Sequence, residues 1–127
     1  MAVKRALSQK VLDSLRDNKY VWIRAGEEHR FITIWCVVVG KRVFIRSWNV
    51  KSGGWHEAFL AHTRGAIRLS KDGDEIRVRA IHTNSESLKA AVDDAFAEKY
   101  VTPASFKYVK GFRLPKRRDA TFELLPA

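Results

Sequence analysis

FITIWCVVVGKRVFIRSW, residues 31–48, reads as two β-strands joined by a tight turn. β-Branched and aromatic residues fill 31–39 and 42–48, and Gly40-Lys41 between them places glycine first, as a type II′ hairpin requires. That turn sets the pairing: Val39 opposite Arg42, Val37 opposite Phe44, Trp35 opposite Arg46 and Thr33 opposite Trp48. Side chains alternate across a strand, so Ile34, Cys36 and Val38 share a face with Val43, Ile45 and Ser47. This face is aliphatic and suits a barrel interior. The opposite face mixes Trp35, Phe44 and Trp48 with Thr33 and Arg46, and needs a cover other than water.

Outward from this hairpin, the pattern predicts five further segments. Ser8 caps a helix over 8–17 whose Leu7, Val11, Leu12 and Leu15 share one face. Tyr20 to Arg24 reads as a strand, ended by the polar AGEEHR. Residues 66–82 read as a second hairpin around Asp72-Gly73, a pair suited to a type I′ turn. In that register Leu69 faces Ile76, Ile67 faces Val78, and Arg68 lies directly opposite Arg77. Like charges so placed are mildly destabilising unless acids, an anion or solvent screen them. Helices follow over 85–109, the first with Leu88, Val92, Ala95, Phe96 and Tyr100 as its buried stripe, the second opened by Thr102-Pro103. A basic loop, 110–119, leads to a closing strand, 121–125. Strands over 20–82 plus the closing one, with three helices set apart, predict an α+β single domain over 1–127. Its centre is a small six-stranded antiparallel split β-barrel with flanking helices.

Bulk properties narrow the class. With 127 residues, 46% apolar and 30% charged, the chain has the composition of a globular domain with a real core. Its longest apolar run, 31–39, is far short of the roughly eighteen residues of a membrane helix. The basic N-terminus has no apolar stretch behind it, which speaks against a secretory signal. The single cysteine, Cys36, sits in a strand, so a cytoplasmic location is expected. The net charge of +10 is spread evenly except for Lys107, Lys110, Arg113, Lys116, Arg117 and Arg118, a run without an acid.

Catalytic signatures are few. No Walker loop, GxGxxG, GxSxG or HExxH occurs, and His29, His56, His62 and His82 lack metal-ligand spacing. No residue stands out as an obligatory acid or base, so catalytic residues stay unassigned and no metal is expected. The segment after the hairpin carries more chemistry. Arg46 and Ser47 end a strand where backbone N–H groups come free for an anion. Lys51 and Ser52 follow beside Gly53-Gly54, which lets backbone approach a ligand. Trp35, Trp48 and Trp55 offer ring surface, and Trp35 opposite Arg46 suits a cation–π contact. The plainer reading treats the glycines as a turn and the tryptophans as core or subunit contacts.

Taken together, IWCVVVGKRVFIRSW, GGWHEAF, GAIRL, AAVDDAFAEKY and TFELLP resemble a family of short bacterial domains of unknown function, from about residue 8 to 126. That family is similar to the pyridoxamine-phosphate-oxidase-like, FMN-binding split barrels, which include deazaflavin-dependent reductases. The resemblance implies a homodimer holding a flavin-type ligand, FMN or deazaflavin, at its interface, with hydride transfer as the reaction. It implies phosphate contacts at Ser47 and Ser52. Where the pattern has a lysine, this chain reads Ser52-Gly53-Gly54-Trp55, so Lys51 or Arg46 would take that place. The flavin ring would lie against Trp35, Trp48 or Trp55. Two rivals stay open: a basic nucleic-acid-binding module using Arg68, Arg77, Arg79 and the 107–118 run, and a cofactor-free homodimeric interaction protein.

Overall fold

A computed structural model describes residues 6–49 and 54–127. Helix α1 (Gln9–Asp17) starts where Ser8 Oγ accepts the Val11 N–H, and buries Leu12 and Leu15. Six antiparallel strands follow: β1 (Tyr20–Ala25), β2 (Ile32–Val39), β3 (Arg42–Arg46), β4 (Arg64–Arg68), β5 (Ile76–His82) and β6 (Thr121–Pro126). They close as a barrel in the order β1-β2-β3-β6-β5-β4, with β4 returning to β1. The closed six-stranded antiparallel barrel with flanking helices is thus the α+β split barrel expected from the sequence. Among the described residues no helix is long and apolar enough to cross a membrane.

The decisive hairpin forms with the turn its sequence calls for. Gly40 has φ +64° while Lys41 stays at negative φ, the pattern of a type II′ turn. Val39 pairs Arg42, Val37 pairs Phe44 and Cys36 pairs Ile45. Val43, Ile45 and Cys36 are buried in the interior with Val21, Ile23, Ile67, Val78 and Phe122. Helix α2 (Trp55–Ala61) contributes Phe59 to the same core. Gly65 makes room for it: a Cβ there would meet Phe59 Cε1 at 2.8 Å and the Arg24 carbonyl oxygen at 2.4 Å.

The hairpin ladder is shorter than its turn implies. Beyond Cys36–Ile45, β2 pairs only with β1 (Tyr20–Trp35, Trp22–Thr33), whereas β3 continues against β6, with Arg46 opposite Thr121. Trp35 is therefore not opposite Arg46, nor Thr33 opposite Trp48. The closing strand lies along the other edge of β3, from Val43 to Arg46, while the first half of β2 is held by β1 alone.

The second hairpin is corrected as well. Ile67 pairs Ile76, Ala66 pairs Arg77, Gly65 pairs Val78 and Arg64 pairs Arg79. Arg68 instead lies across from Trp22 on β1. Asp72-Gly73 is not a type I′ turn. Gly73 donates its N–H to the Ser70 carbonyl (3.1 Å), and residues 69–75 form a longer connection. The slip is two residues, an even number, so Ile67, Ile76 and Val78 keep the inward face.

A second core covers the outer face of β2 and β3. Helix α3 (Glu86–Lys99), started by Ser85 Oγ accepting the Leu88 N–H, brings Val92 and Phe96 onto Val37 and Phe44, with Tyr100 just beyond its end. Helix α4 (Phe106–Gly111) and Phe112 complete the layer, with Trp35 and Trp48 packed against it. The mixed aromatic face is thus covered by the chain's own helices, whereas a partner subunit, a cofactor or both had been expected to cover it. The basic loop also holds a short helix, α5 (Pro115–Arg118), after a proline at its first position.

Candidate functional site

Where β2 leaves β3, the barrel wall opens. Thr33 and Trp35 stand on one bank; Ser47, Trp48, Asn49, Gly54 and Trp55 form the other. Tyr108, from α4, and the exposed Lys19, Tyr20, His29 and Arg30 also line it. The cleft holds about 720 Å³, within the range of small-molecule sites.

Five of the residues singled out from the sequence line this one cleft: Trp35, Arg46, Ser47, Trp48 and Trp55. Lys51 and Ser52 lie outside the described residues. Convergence on one cleft does not give these groups one orientation. The Trp35 ring lies flat on Tyr100, with centroids 3.8 Å apart and planes at 4°. Tyr100 is held by its hydroxyl, which donates to the Lys19 carbonyl at 2.6 Å, and burial raises its pKa. Trp48 has the Arg117 guanidinium 3.6 Å from its ring centre, while Arg117 Nε donates to the Trp48 carbonyl. Tyr108 sets its edge to both tryptophans, at 5.9 and 5.1 Å. Trp55 turns to the interior, against Phe59 and Phe122.

Arg46 is directed away from the cleft, into the layer beneath α3. Its side chain is wholly buried and paired with Asp93 at 2.6 Å. Nε donates to Thr121 Oγ1 (2.8 Å), Nη1 also to the Phe112 carbonyl (3.0 Å), and Nη2 to the Lys89 carbonyl (3.2 Å). Burial lowers its pKa and Asp93 opposes that shift. The expected cation–π contact with Trp35 is absent among the described residues; the guanidinium lies 5.7 Å from the Phe96 ring instead. Asp93 receives a second cation, Arg118 Nε at 3.0 Å, and Arg118 goes on to Glu86. Ser47 is similarly occupied, its hydroxyl donating to the Asn49 carbonyl at 2.8 Å and its N–H to Ala120.

The groups that face the opening are ones the sequence reading passed over. Tyr20 is 43% exposed and Tyr108 39%, and Lys19, His29 and Arg30, also exposed, line the same cleft. Lys19-Tyr20 and the GEEHR turn were visible as polar boundaries of β1, but only the β1–β2 pairing sets Tyr20 beside Trp35, with the turn at the other end of the pair. No spacing rule links Tyr108 to them. Among the described residues, no three of His, Cys, Asp and Glu converge as metal ligands.

Comparison with known proteins places the fold. A family model described as an uncharacterized protein conserved in bacteria, DUF2255, matches residues 12–124. No curated protein matches the sequence. Among solved structures, the conserved hypothetical protein Rv2991 from Mycobacterium tuberculosis superposes with a TM-score of 0.61 at 12% identity, covering 99% of this chain and 85% of its own. A protein from Listeria innocua, provisionally named pyridoxamine 5'-phosphate oxidase, gives 0.60 at 11% identity, covering 93% and 90%. At such identities the likeness is one of fold.

Proposed function

The chain belongs to DUF2255, and from that premise we propose that its open-walled cleft binds a planar aromatic ligand bearing a phosphate-type anion. The ligand is of flavin type, FMN or deazaflavin. The observation that carries this reading is the coincidence, in one cleft of about 720 Å³, of exposed rings (Tyr20, Tyr108) with exposed cations (Lys19, Arg30). The cleft's size and lining suit such a molecule. The provisional name of the Listeria relative adds weight at the level of ligand class.

In this reading Tyr20, Tyr108 and the free edges of Trp35 and Trp48 hold the ring. Arg30 and Lys19 hold the anion, together with Lys51 and Ser52 as read from the sequence. Arg46 positions rather than clamps: it ties β3 to α3, and its bond to the Phe112 carbonyl fixes the end of α4 behind Tyr108. A bound flavin would supply hydride-transfer chemistry, so that the protein need only bind, orient and exclude water. A second copy of the chain over the mouth completes the proposal, since Tyr20 and Ile32, each 43% exposed, leave apolar surface there.

Titration with FMN and with a deazaflavin, followed by flavin fluorescence and melting temperature, tests the reading. Ligand at a hundred times its Kd adds about 2.7 kcal/mol of stability. Arg30→Ala and Tyr108→Ala should each weaken that binding. If neither flavin binds or raises the melting temperature, the reading fails.

A further inference from the structure

On the far side of the barrel, the outer face of β1, β4 and β5 differs from the face under α3. It carries the side chains that alternate with the interior set: Trp22 and Arg24 on β1, Arg64, Ala66 and Arg68 on β4, Arg77 and Arg79 on β5. The pairing arranges them in rows. Trp22 neighbours Arg68, Ala66 lies between Arg24 and Arg77, and Arg64 lies directly opposite Arg79. Successive rows are two residues apart, about 6.8 Å. The small side chain of Ala66 leaves a notch in this face, and a cleft of about 940 Å³ runs past it between Arg24, Arg64, Arg77 and Arg79.

Charge on this face is uneven. Glu75 pairs with Arg24 (2.6 Å) and Arg68 (3.6 Å), and Glu27 and Glu28 also border the cleft. Arg64, Arg77 and Arg79 are exposed and have no ion pair among the described residues. Two of them oppose each other across the ladder, a mildly unfavourable placement that solvent screens in the free protein and a bound anion would relieve. Ring surface adjoins the cations. The Phe31 ring has the Arg68 guanidinium 4.2 Å and the Arg24 guanidinium 4.7 Å from its centre. Arg68 Nε is buried without a hydrogen-bond partner among the described residues, as stacking on a ring leaves it.

From this face we infer that the protein binds single-stranded nucleic acid, phosphates at Arg64, Arg77 and Arg79 and a base on Trp22 beside the Arg68–Phe31 stack. An acidic peptide would use the arginines but leave the rings idle. Single strands use both, because every base has a π-face to stack. None of these contact residues lines the cleft in the split wall, although the two clefts meet at Ala25 and His29, and the inference stands whether or not that cleft takes a flavin.

Fluorescence anisotropy with fluorescein-labelled 20-nucleotide oligo(dT) and oligo(U) tests it on the full chain. Three phosphate contacts on a single strand predict a log–log salt slope of about −2. Arg64→Ser/Arg77→Ser/Arg79→Ser should abolish binding at unchanged melting temperature. Trp22→Leu should weaken it about tenfold while Trp22→Phe restores it. Absence of saturable binding at low salt overturns the proposal, as does binding indifferent to the triple variant. So does equal affinity for heparin with no loss in Trp22→Leu, which marks mere polyanion attraction. A concentration-dependent dimer abolished by the same three substitutions would show this face meeting a second copy instead, and would also overturn it.

Discussion

Arg46 is the residue whose role shifts most between sequence and structure. It was expected at a phosphate; it is buried against Asp93, with Thr121 and two carbonyls accepting further hydrogen bonds from it. Removing one partner of a buried pair leaves the other uncompensated, so Arg46→Met should cost about 3–5 kcal/mol in urea unfolding. The double variant Arg46→Met/Asp93→Leu should recover part of that loss, because neither charge is then stranded. If the single and double variants lose the same stability, the pair is not the structural tie drawn here. Gly111 makes a second residue-scale test. A Cβ at this position would stand 2.3 Å from Trp48 Cη2. Gly111→Ala should therefore displace Trp48 and destabilise by about 1–3 kcal/mol despite alanine's better helix propensity. Trp48 fluorescence and the urea midpoint report the two effects.

Among the elements, the β2–β3 hairpin and α3 do different work. The hairpin's geometry resides in one glycine. Gly40 has φ +64° and open space around a would-be Cβ, so Gly40→Ala isolates the backbone cost. The expected loss is about 1–2 kcal/mol with no change in packing, measured by urea unfolding; a neutral result would mean that the turn relaxes freely. Helix α3 supplies both a lid and an anchor. Val92 and Phe96 seal the outer aromatic layer, while Asp93 and Lys89, on the neighbouring stripe, receive Arg46 and reach Asp119. The apolar stripe was readable at helical spacing. The polar stripe was not, because a lysine or aspartate on a helix gives no sign of burial until its partner is placed. Similarly, the Arg68–Arg77 opposition failed because the connection after β4 is longer than its Asp72-Gly73 pair suggests.

For the whole molecule, the titrating groups predict a stability curve with two limbs. His56 has a lowered pKa, chiefly from burial and then from His82. Its folded form binds fewer protons than the unfolded chain, so stability should begin to fall as pH drops below about 6.5. Asp119 and Glu86 are held below their usual values by Lys89 and Arg118, and extend the loss as pH falls through their folded values. At high pH, burial raises the pKa of Cys36 and Tyr100. Both must stay protonated in the fold while the unfolded chain ionises, so stability falls as pH rises past about 9–10. Lys99 acts oppositely: burial lowers its pKa, so its own contribution rises with pH through its folded value and levels off once the unfolded amine deprotonates at about 10.4. Melting temperatures from pH 4 to 11 check the shape. A profile flat between pH 8 and 11 would contradict the alkaline limb, and Tyr100→Phe should soften it.

The sequence by itself determined the features written into neighbouring residues: the type II′ turn at Gly40-Lys41, the dry face of Cys36, Val43 and Ile45, and the apolar stripe of α3. These depend on alternation, helical spacing and backbone conformation, all of which act over a few residues. Only the tertiary structure decided that β6 lies along β3's other edge, that Arg46 meets Asp93 47 residues away and Thr121 75 away, and that Tyr20 and Tyr108 share a cleft. Closing the barrel fixes such contacts, and one strand's periodicity does not say which distant strand will lie beside it.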